Sequence, residues 1–232
     1  MKTYNPFKHF NRPSTVTGVF SEYEVELANR NSGMPLETLE HDITPIGQHY
    51  ILTHFDIPYL KNDEYILSFT GDFLNAFSIT YSEIKALPAK TLPVTLECAG
   101  NGRAHFDPRS SSMPWTYGAI GTSKWTGTQL KPLLDKACLQ SEAVEVSFTG
   151  ADRGYDSGHE HNFARSLTRT QLEELDILLV YEMNGMPLLP QHGAPLRLIV
   201  PGWYGMASVK WLTEIRALSE PFGGHQQIGT YR

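Results

Sequence analysis

Apolar and polar positions divide the chain into short β-rich stretches that alternate with brief amphipathic ones from Tyr50 onward. Valine, isoleucine, leucine and aromatic residues cluster in runs of strand length, and glycine, proline or asparagine bounds these runs. The runs predict strands near 64–70, 92–98, 144–149, 177–183 and 195–200. Because no regular strand-helix-strand rhythm connects them, the pattern favours an α+β fold with mixed β-sheets and short helices.

The longest helical pattern follows residue 128. Apolar side chains recur there at the spacing of one helix face, namely Leu130, Leu133, Leu134, Ala137 and Cys138. Thr128 is the predicted N-cap, and the position of Cys138 on the apolar stripe predicts that it is a core residue.

Two other local signals are specific enough to use. Thr168 and Thr170 each stand three residues before a Gln or Glu, which is the pattern of a capping box and predicts a short helix there. Asn184-Gly185 separates two apolar runs and predicts a tight hairpin turn.

We expect residues 1–44 to form an extended arm packed on the domain, because they mix proline, asparagine and polar residues with little periodicity. Residues 45–232 then form one domain. Hydrophobic residues make up 41% of the chain and charged residues 19%, which is typical of a folded globular protein.

The overall charge and the apolar runs exclude several classes of partner. The formal net charge of -6 at pH 7 argues against nucleic acid. No stretch approaches the roughly 18 apolar residues of a membrane span. The first residues lack the apolar stretch of a secretory signal, so cytoplasmic and periplasmic locations both stay open. Two cysteines cannot form a disulfide framework.

The best candidate for chemistry is the thiol of Cys98. A predicted strand ends there and leads into the glycine-rich turn Cys98-Ala-Gly-Asn-Gly-Arg103. Glycines allow a bulky group to approach the backbone, and Arg103 supplies a cation expected to favour thiolate over thiol. The alternative is a buried core cysteine before a turn.

The common nucleotide-binding and serine-nucleophile motifs are missing from the sequence. Instead, two segments are depleted of carboxylates. Asp107 is the only acid between Cys98 and Leu134, and none lies between Met183 and Thr213. Such segments could converge on an anion, with arginine as a bidentate clamp, although low-charge core segments would show the same depletion.

The Cys98 turn is one of an ordered series of motifs. The others are Phe148-Thr-Gly-Ala-Asp152, Ala164-Arg-Ser-Leu167, His192-Gly-Ala-Pro-Leu-Arg197, Pro201-Gly-Trp-Tyr-Gly205 and Ser208-Val-Lys210. Together they resemble the sulfite oxidase family of molybdenum-cofactor enzymes, from about Thr44 to Arg232. The resemblance implies the α+β molybdopterin-binding domain of that family and a two-electron oxygen-atom transfer on a small oxyanion.

The resemblance also implies roles for individual residues. Cys98 would be the protein ligand of molybdenum, a soft thiolate beside the dithiolene sulfurs of the cofactor. Arg103 would attract the oxyanion, and Tyr231 would donate a hydrogen bond to it. The implied molybdopterin-binding positions are Tyr50, Ile51, Leu52, Thr53, His54, Asp152, His192, Arg197, Ser208, Val209 and Lys210.

Departures from the family pattern limit what the resemblance implies. Sulfite oxidases carry an arginine two residues before the position of His54, where this chain has Leu52, so sulfite itself is doubtful. Gly102 makes the turn similar to bacterial sulfane dehydrogenase-like members. The C-terminal dimerisation domain of the family has no counterpart in this sequence. The expected electron acceptor is an external protein such as a cytochrome, and the oligomeric state stays open.

Two alternatives remain at this point. His159 and His161, with Asp156 nearby and His192 farther along, could ligate zinc in a hydrolase, although their Gly- and Asp-rich context predicts a mobile loop with solvated histidines. A non-catalytic cofactor-binding domain would keep the cofactor positions and tolerate changes such as Leu52.

Overall fold

The computed structural model describes residues 30–108, 112–156 and 158–231. The described residues form two compact units: one comprises those up to Thr53 together with those within Thr95–Thr122, and the other comprises His54–Val94 and the described residues from Ser123 onward. Most of the predicted 1–44 arm lies outside the described residues. Its packing, and the extent of the 45–232 domain, stay predictions.

Strands dominate the secondary structure. They are β1 (Ile66–Gly71), β2 (Phe77–Thr80), β3 (Ala89–Glu97), β4 (Ile120–Gln129), β5 (Glu145–Asp156), β6 (His159–Thr168), β7 (Leu178–Met183), β8 (Met186–Pro187), β9 (Arg197–Ile199) and β10 (Leu212–Leu218). The α-helices are α1 (Tyr81–Ala86), α2 (Lys131–Ala137) and α3 (Arg169–Glu174). Single 3-10 turns span Leu36–Glu40, Ile46–Gln48, Arg103–His105, Pro190–His192 and Gly205–Ala207, and a π-helical turn spans His225–Thr230.

The strands form two mixed or antiparallel sheets. The first has the order β2-β1-β10-β5-β6, and the second has the order β3-β4-β7-β8 with β9 paired to β7. In the first sheet β1 runs parallel to β10, whereas the other pairings given for that sheet are antiparallel. The predicted α+β class with mixed sheets and short helices is therefore confirmed.

The core of the second unit lies against the first sheet. On β1, Leu67 and Phe69 are buried while Ile66 is exposed, which is the alternation expected of a strand with one face in the core. Phe148 of β5 and Ile215 of β10 are fully buried in the same cluster. Each such side chain contributes about 1.5–3 kcal/mol through removal of apolar surface from water.

Helix α2 shows where the sequence pattern was right and where it was wrong. Leu130, Leu133, Leu134 and Ala137 are buried as predicted. Thr128 is not the N-cap, because it lies in β4 and pairs with Leu179 of β7. Cys138 is the C-cap residue with φ 59°, and it is partly exposed. The left-handed turn takes its side chain off the helix face, so its prediction as a core residue is wrong.

The two remaining local predictions are confirmed. The Thr168 hydroxyl accepts a hydrogen bond from the Gln171 amide, and the Gln171 side chain accepts one from the Thr168 amide, so α3 begins with a capping box. Asn184 and Gly185 have φ angles of 52° and 78° and join β7 to β8. Both left-handed conformations suit a primed hairpin turn. Within the described residues, no helix is both long and apolar enough to cross a membrane.

Candidate active site

Cys98 lies immediately after β3, as the sequence predicted. Its amide donates to the carbonyl of Ala119 at 2.8 Å, and its carbonyl accepts from the Asn101 amide at 2.9 Å, so the backbone turns sharply behind the thiol. Gly102 has φ 80°, a left-handed conformation that continues this turn with little strain only for glycine. The Cys98 side chain is buried at 5% exposure.

Gly100 brings the Arg103 guanidinium to the turn that carries Cys98. A Cβ at Gly100 would lie 2.3 Å from Cζ of Arg103, so the guanidinium packs directly on the glycine. Arg103 also donates to Oγ of Ser112 at 2.9 Å and to the carbonyl of Met113 at 3.3 Å, which holds it in this position.

The Cys98 thiol is nevertheless harder to ionise than an ordinary cysteine. Burial raises the pKa of Cys98, and the Gly100 amide at 3.4 Å, the Arg103 cation and the Trp115 side chain offset this only in part. Arg103 therefore favours the thiolate as predicted, but desolvation outweighs this attraction and the net shift of the pKa is upward. A buried neutral thiol of this kind would release its proton on binding a metal.

The segment Tyr50–Thr53 packs within the same unit as Cys98. Ile51 exchanges both backbone hydrogen bonds with Ser32, at 2.8 and 3.0 Å. The Thr53 amide and hydroxyl both donate to the Asn31 side chain, at 2.6 and 3.2 Å. Two of the predicted cofactor-binding backbone positions thus already have protein partners, and the role of this segment stays a prediction.

In the second unit, Arg197 joins three predicted cofactor-binding positions. The buried guanidinium donates to the carbonyl of His192 at 2.9 Å and to the carbonyl of Ser208 at 3.0 Å. The Ser208 hydroxyl in turn accepts from the Val200 amide at 3.1 Å. Val209, the neighbouring predicted position, is a core residue at 1% exposure. These contacts fix the loops that carry His192 and Ser208.

Gly193 allows Arg197 and Lys210 to lie side by side. It has φ 104°, and a Cβ there would come within 3.0 Å of the Lys210 side chain and 3.1 Å of the Arg197 side chain. Burial first, and then the charge of Arg197, lowers the pKa of Lys210 to about 7. Two cations placed so closely favour an anion beside them.

Asp152 is the acidic residue that interacts electrostatically with Lys210 of this pair. It is 4% exposed, and burial raises its pKa to about 7 although Lys210 attracts its charged form. Its Oδ1 makes no hydrogen bond with any described part of the chain. Gly150 leaves room for this oxygen, because a Cβ there would lie 2.4 Å from it. A buried oxygen without a donor is costly unless a ligand supplies one.

His54 and Tyr231 form a hydrogen-bonded pair in this unit. The Tyr231 hydroxyl lies 2.9 Å from Nε2 of His54. Solvent reaches His54, yet the protein that surrounds it, helped by the charge of Lys210, lowers its pKa to about 4. Solvent access together with a strongly lowered pKa is typical of a side chain that lines a concave surface. In the tautomer with an unprotonated Nε2, the neutral ring accepts a hydrogen bond from the Tyr231 hydroxyl.

Arg165 is a residue at this site that the predicted set omitted. Its side chain is 5% exposed, and its guanidinium donates to the backbone carbonyls of Gln226 and Tyr231. Its Nε has no partner within the described ranges. The motif Ala164-Arg-Ser-Leu167 contained the signal, but nothing in it distinguished a buried arginine from a surface one.

The histidines near residue 160 do not lie in a loop. They belong to β6, where His161 pairs with Gly154 of β5, so the prediction of a mobile loop is wrong. The metal-ligating atoms that the structure brings together belong to Asp156, His161 and His225. His159 and His192, two ligands considered in the zinc alternative, are not in this cluster, and no sequence motif pointed to His225.

Known proteins are similar to this chain in sequence and in fold. Residues 54–226 match the family described as oxidoreductase molybdopterin binding domain. Mitochondrial sulfite oxidase of Drosophila melanogaster is 32% identical over 87% of this chain and 36% of its own length. An NADH nitrate reductase of Ulva prolifera is 32% identical over 75% of this chain and 21% of its own length. The chain thus spans well under half of these curated relatives.

A solved structure agrees with the fold. The sulfane dehydrogenase SoxCD from Paracoccus pantotrophus superposes with a TM-score of 0.72 over 88% of this chain and 54% of its own, at 24% identity. The chain therefore shares the fold of the aligned part of that structure. The chain belongs to the oxidoreductase molybdopterin binding domain family, and the predicted resemblance to sulfite oxidases is confirmed.

The residues of the second unit fit the cofactor of this family. Molybdopterin carries ring N–H groups, which suit the buried Oδ1 of Asp152 that lacks a donor within the described chain. It also carries a phosphate, which suits the adjacent cations Arg197 and Lys210. The glycine at 193 keeps space between those side chains that any Cβ would fill.

Proposed function

We propose that this chain is the molybdopterin-binding domain of an enzyme that transfers an oxygen atom between water and a small oxyanion. In the oxidising direction, the substrate gains the oxygen of one water molecule, and two protons and two electrons are released. The electrons pass to an external acceptor, for which a cytochrome is the first candidate. When bound, molybdopterin supplies the metal centre that exchanges two electrons and an oxygen atom with the substrate.

The observation that carries this proposal is the buried Oδ1 of Asp152, whose carboxyl group Lys210 attracts electrostatically. A protein without a ligand here would leave this buried carboxyl oxygen without a donor from the described residues, which is costly. Asp152 would accept from ring N–H groups of the cofactor, and Arg197 with Lys210 would bind its phosphate. The remaining proposed contacts are Tyr50, Ile51, Leu52, Thr53, His54, His192, Ser208 and Val209.

The proposed roles at the reacting end belong to Cys98, Arg103 and Tyr231. Cys98 would provide the thiolate ligand of molybdenum. Arg103 would attract the oxyanion, and Tyr231 would donate a hydrogen bond to it. Sulfur-containing oxyanions other than sulfite are the favoured substrate class, because Leu52 places an apolar side chain where sulfite oxidases have an arginine.

The test of the thiolate ligand is Cys98→Ser, with Cys138→Ser as the matched control. The control cysteine is partly exposed at the end of α2. We expect the Cys98 variant to fold but to lose its molybdenum by elemental analysis and its turnover, while the control keeps both. Full molybdenum content and turnover in the Cys98 variant would remove the assignment.

Arg103→Met tests the oxyanion site, with the exposed Arg216→Met as control. A residue that touches the anion during the transfer should, when neutralised, raise KM and lower kcat together. Unchanged constants would exclude the role.

Stoichiometric molybdenum without turnover on any oxyanion, in the unmodified protein, would instead support a non-catalytic cofactor-binding domain, which Leu52 favours.

A further inference from the structure

The β5–β6 hairpin and the π-helical turn His225–Thr230 bring together three side chains with metal-ligating atoms. Asp156 ends β5, His161 lies on β6, and His225 begins the turn. The ligand atoms of these three side chains lie within 4.8 Å of one another. All three side chains are partly buried, and none of them has a role in the proposed molybdopterin site.

Two of the ligand atoms already have the spacing of a coordination shell. Nε2 of His225 lies 3.1 Å from Oδ2 of Asp156. In a tetrahedral zinc site with bonds of 2.0–2.1 Å, neighbouring ligand atoms are about 3.3 Å apart. The ligand atom of His161 lies within 4.8 Å of both, so it would have to move closer when an ion binds.

The hydrogen bonds of His161 fix the tautomer that a metal requires. Its Nδ1 lies 3.2 Å from the carbonyl of His159, which can only accept, so Nδ1 carries the proton. Its Nε2 lies 2.9 Å from the amide nitrogen of Gln226, which can only donate, so Nε2 carries the lone pair. A ring held by Nδ1–H on a backbone carbonyl, with Nε2 as the donor atom, is the arrangement usual for metal-bound histidine. Metal binding would exchange the Gln226 hydrogen bond for a coordination bond.

A cavity gives an ion access to these groups. It has a volume of about 500 Å³, and His161, His225 and the glycines Gly223 and Gly224 are among its lining residues. The His161 and His225 rings face one another across 4.9 Å between centroids. Three protein ligands beside such a cavity leave a fourth position for water, as in open zinc sites.

We infer that Asp156, His161 and His225 form a binding site for a divalent transition metal, with Zn²⁺ as the occupant that this ligand set fits best. Two imidazoles and one carboxylate match the ligands of zinc, whereas calcium and magnesium prefer oxygen alone. The bound ion would link the turn that begins at His225 to the β5–β6 hairpin. Tyr231 follows this turn directly, so the ion would also limit the motion of the tyrosine that contacts His54.

Zinc titration of the purified, molybdenum-loaded chain tests this inference. Isothermal calorimetry with Zn²⁺ should give one site per chain in the unmodified protein. His161→Gln and His225→Gln should each weaken zinc binding at least about tenfold, because each removes a ligand. His159→Gln is the matched control, since His159 is an exposed histidine on the same strand outside the cluster, and its affinity should not change. Absence of zinc binding, or a zinc affinity in both ligand variants that equals that of the unmodified protein, would overturn the inference.

Cobalt distinguishes this site from the cysteines. Co²⁺ bound to histidine and carboxylate gives visible d–d bands without the intense near-ultraviolet charge-transfer band of a thiolate ligand. A strong thiolate band in the unmodified protein would place the ion on Cys98 or Cys138 and contradict the inference. This spectrum decides the matter even if a glutamine variant folds poorly. Zn²⁺ should also raise the thermal midpoint of the unmodified protein by mass action, and His225→Gln should abolish that rise.

Discussion

The Tyr231 hydroxyl lies 2.9 Å from Nε2 of His54, which joins two residues 177 positions apart in the chain. The surrounding protein and Lys210 lower the pKa of His54 to about 4, so the ring is neutral near pH 7, and in the tautomer with an unprotonated Nε2 it accepts a hydrogen bond from the Tyr231 hydroxyl. The Arg165 guanidinium holds the backbone on the other side of Tyr231 through its carbonyl. The hydrogen bonds with His54 and Arg165 thus orient Tyr231.

Removal of the tyrosine hydroxyl should change the titration of His54. In Tyr231→Phe the neutral ring loses its donor, so the pKa of His54 should rise. We expect a stability loss of about 0.5–1.5 kcal/mol, because one hydrogen bond is lost without leaving a charge unpaired. Histidine resonances followed by NMR against pH would measure the first effect, and Tyr204→Phe, at an exposed tyrosine, is the control. If the pKa of His54 is the same in Tyr231→Phe as in the unmodified protein, the hydrogen bond is contradicted.

Asp152 should make the cofactor-free protein less stable as pH rises. Burial raises its pKa from 3.8 to about 7, so across this window the folded state holds a proton that the unfolded state has released. Stability contributed by the protonated form is therefore lost between about pH 4 and pH 7, by on the order of a few kcal/mol. Asp152→Asn should remove this dependence.

Urea unfolding at several pH values, on cofactor-free protein, measures the Asp152 effect. Asp63→Asn, at an exposed aspartate, is the control and should keep the pH dependence of the unmodified protein. Lys210 adds an opposite slope above neutral pH, because its lowered pKa of about 7 makes the unfolded state bind more protons up to 10.5. A stability curve of Asp152→Asn that parallels the unmodified protein between pH 4 and pH 7 would refute the assignment.

Arg197 should not be replaceable by lysine. Lysine keeps the charge but cannot donate to the His192 and Ser208 carbonyls in the same geometry. We expect Arg197→Lys to lose about 1–3 kcal/mol of stability and most of the bound cofactor. Denaturant unfolding and molybdenum analysis measure the two effects. Arg216→Lys, at an exposed position, should change neither the stability nor the molybdenum content. Equal results for the two variants would argue against a structural role of the buried Arg197 guanidinium.

A methyl group at Gly100 should displace Arg103. The added Cβ would overlap the guanidinium, which lies 2.3 Å from its position. Gly100→Ala should therefore reproduce the kinetic defect of Arg103→Met and raise the pKa of Cys98 further, because a nearby cation is lost. Thiol alkylation rate against pH in cofactor-free protein measures the second effect. Gly47→Ala is the control, since nothing lies within 4 Å of a Cβ there, and normal kinetics in Gly100→Ala would count against the packing.

The sequence predicted local structure well where the signal was local. The Thr168 capping box and the Asn184-Gly185 turn need only neighbouring residues, and both are confirmed. The pattern after residue 128 failed at its two ends. Thr128 belongs to β4 because pairing with β7 outweighs its capping preference, and Cys138 leaves the helix face because the backbone turns left-handed there.

The site could be predicted as a set of residues but not as an arrangement. Cys98, Asp152 and Arg197 stand in motifs, so their importance was readable without coordinates. The cluster of Asp156, His161 and His225 had no such signal, because its members are up to 69 residues apart by number and meet only where β6 packs on the C-terminal turn. The strand character of residues 159–168 was hidden by polar side chains, which pairing with β5 accommodates.

The sequence by itself determined the fold class, the turn that presents Cys98 and the family to which the chain belongs, because each depends on contiguous residues or on their order. Only the tertiary structure decided the ionisation of Cys98, Asp152 and Lys210, since desolvation depends on what packs around a group and not on its neighbours in sequence. For the same reason, the partners of His54 and His225 became known only when distant strands and turns were brought together.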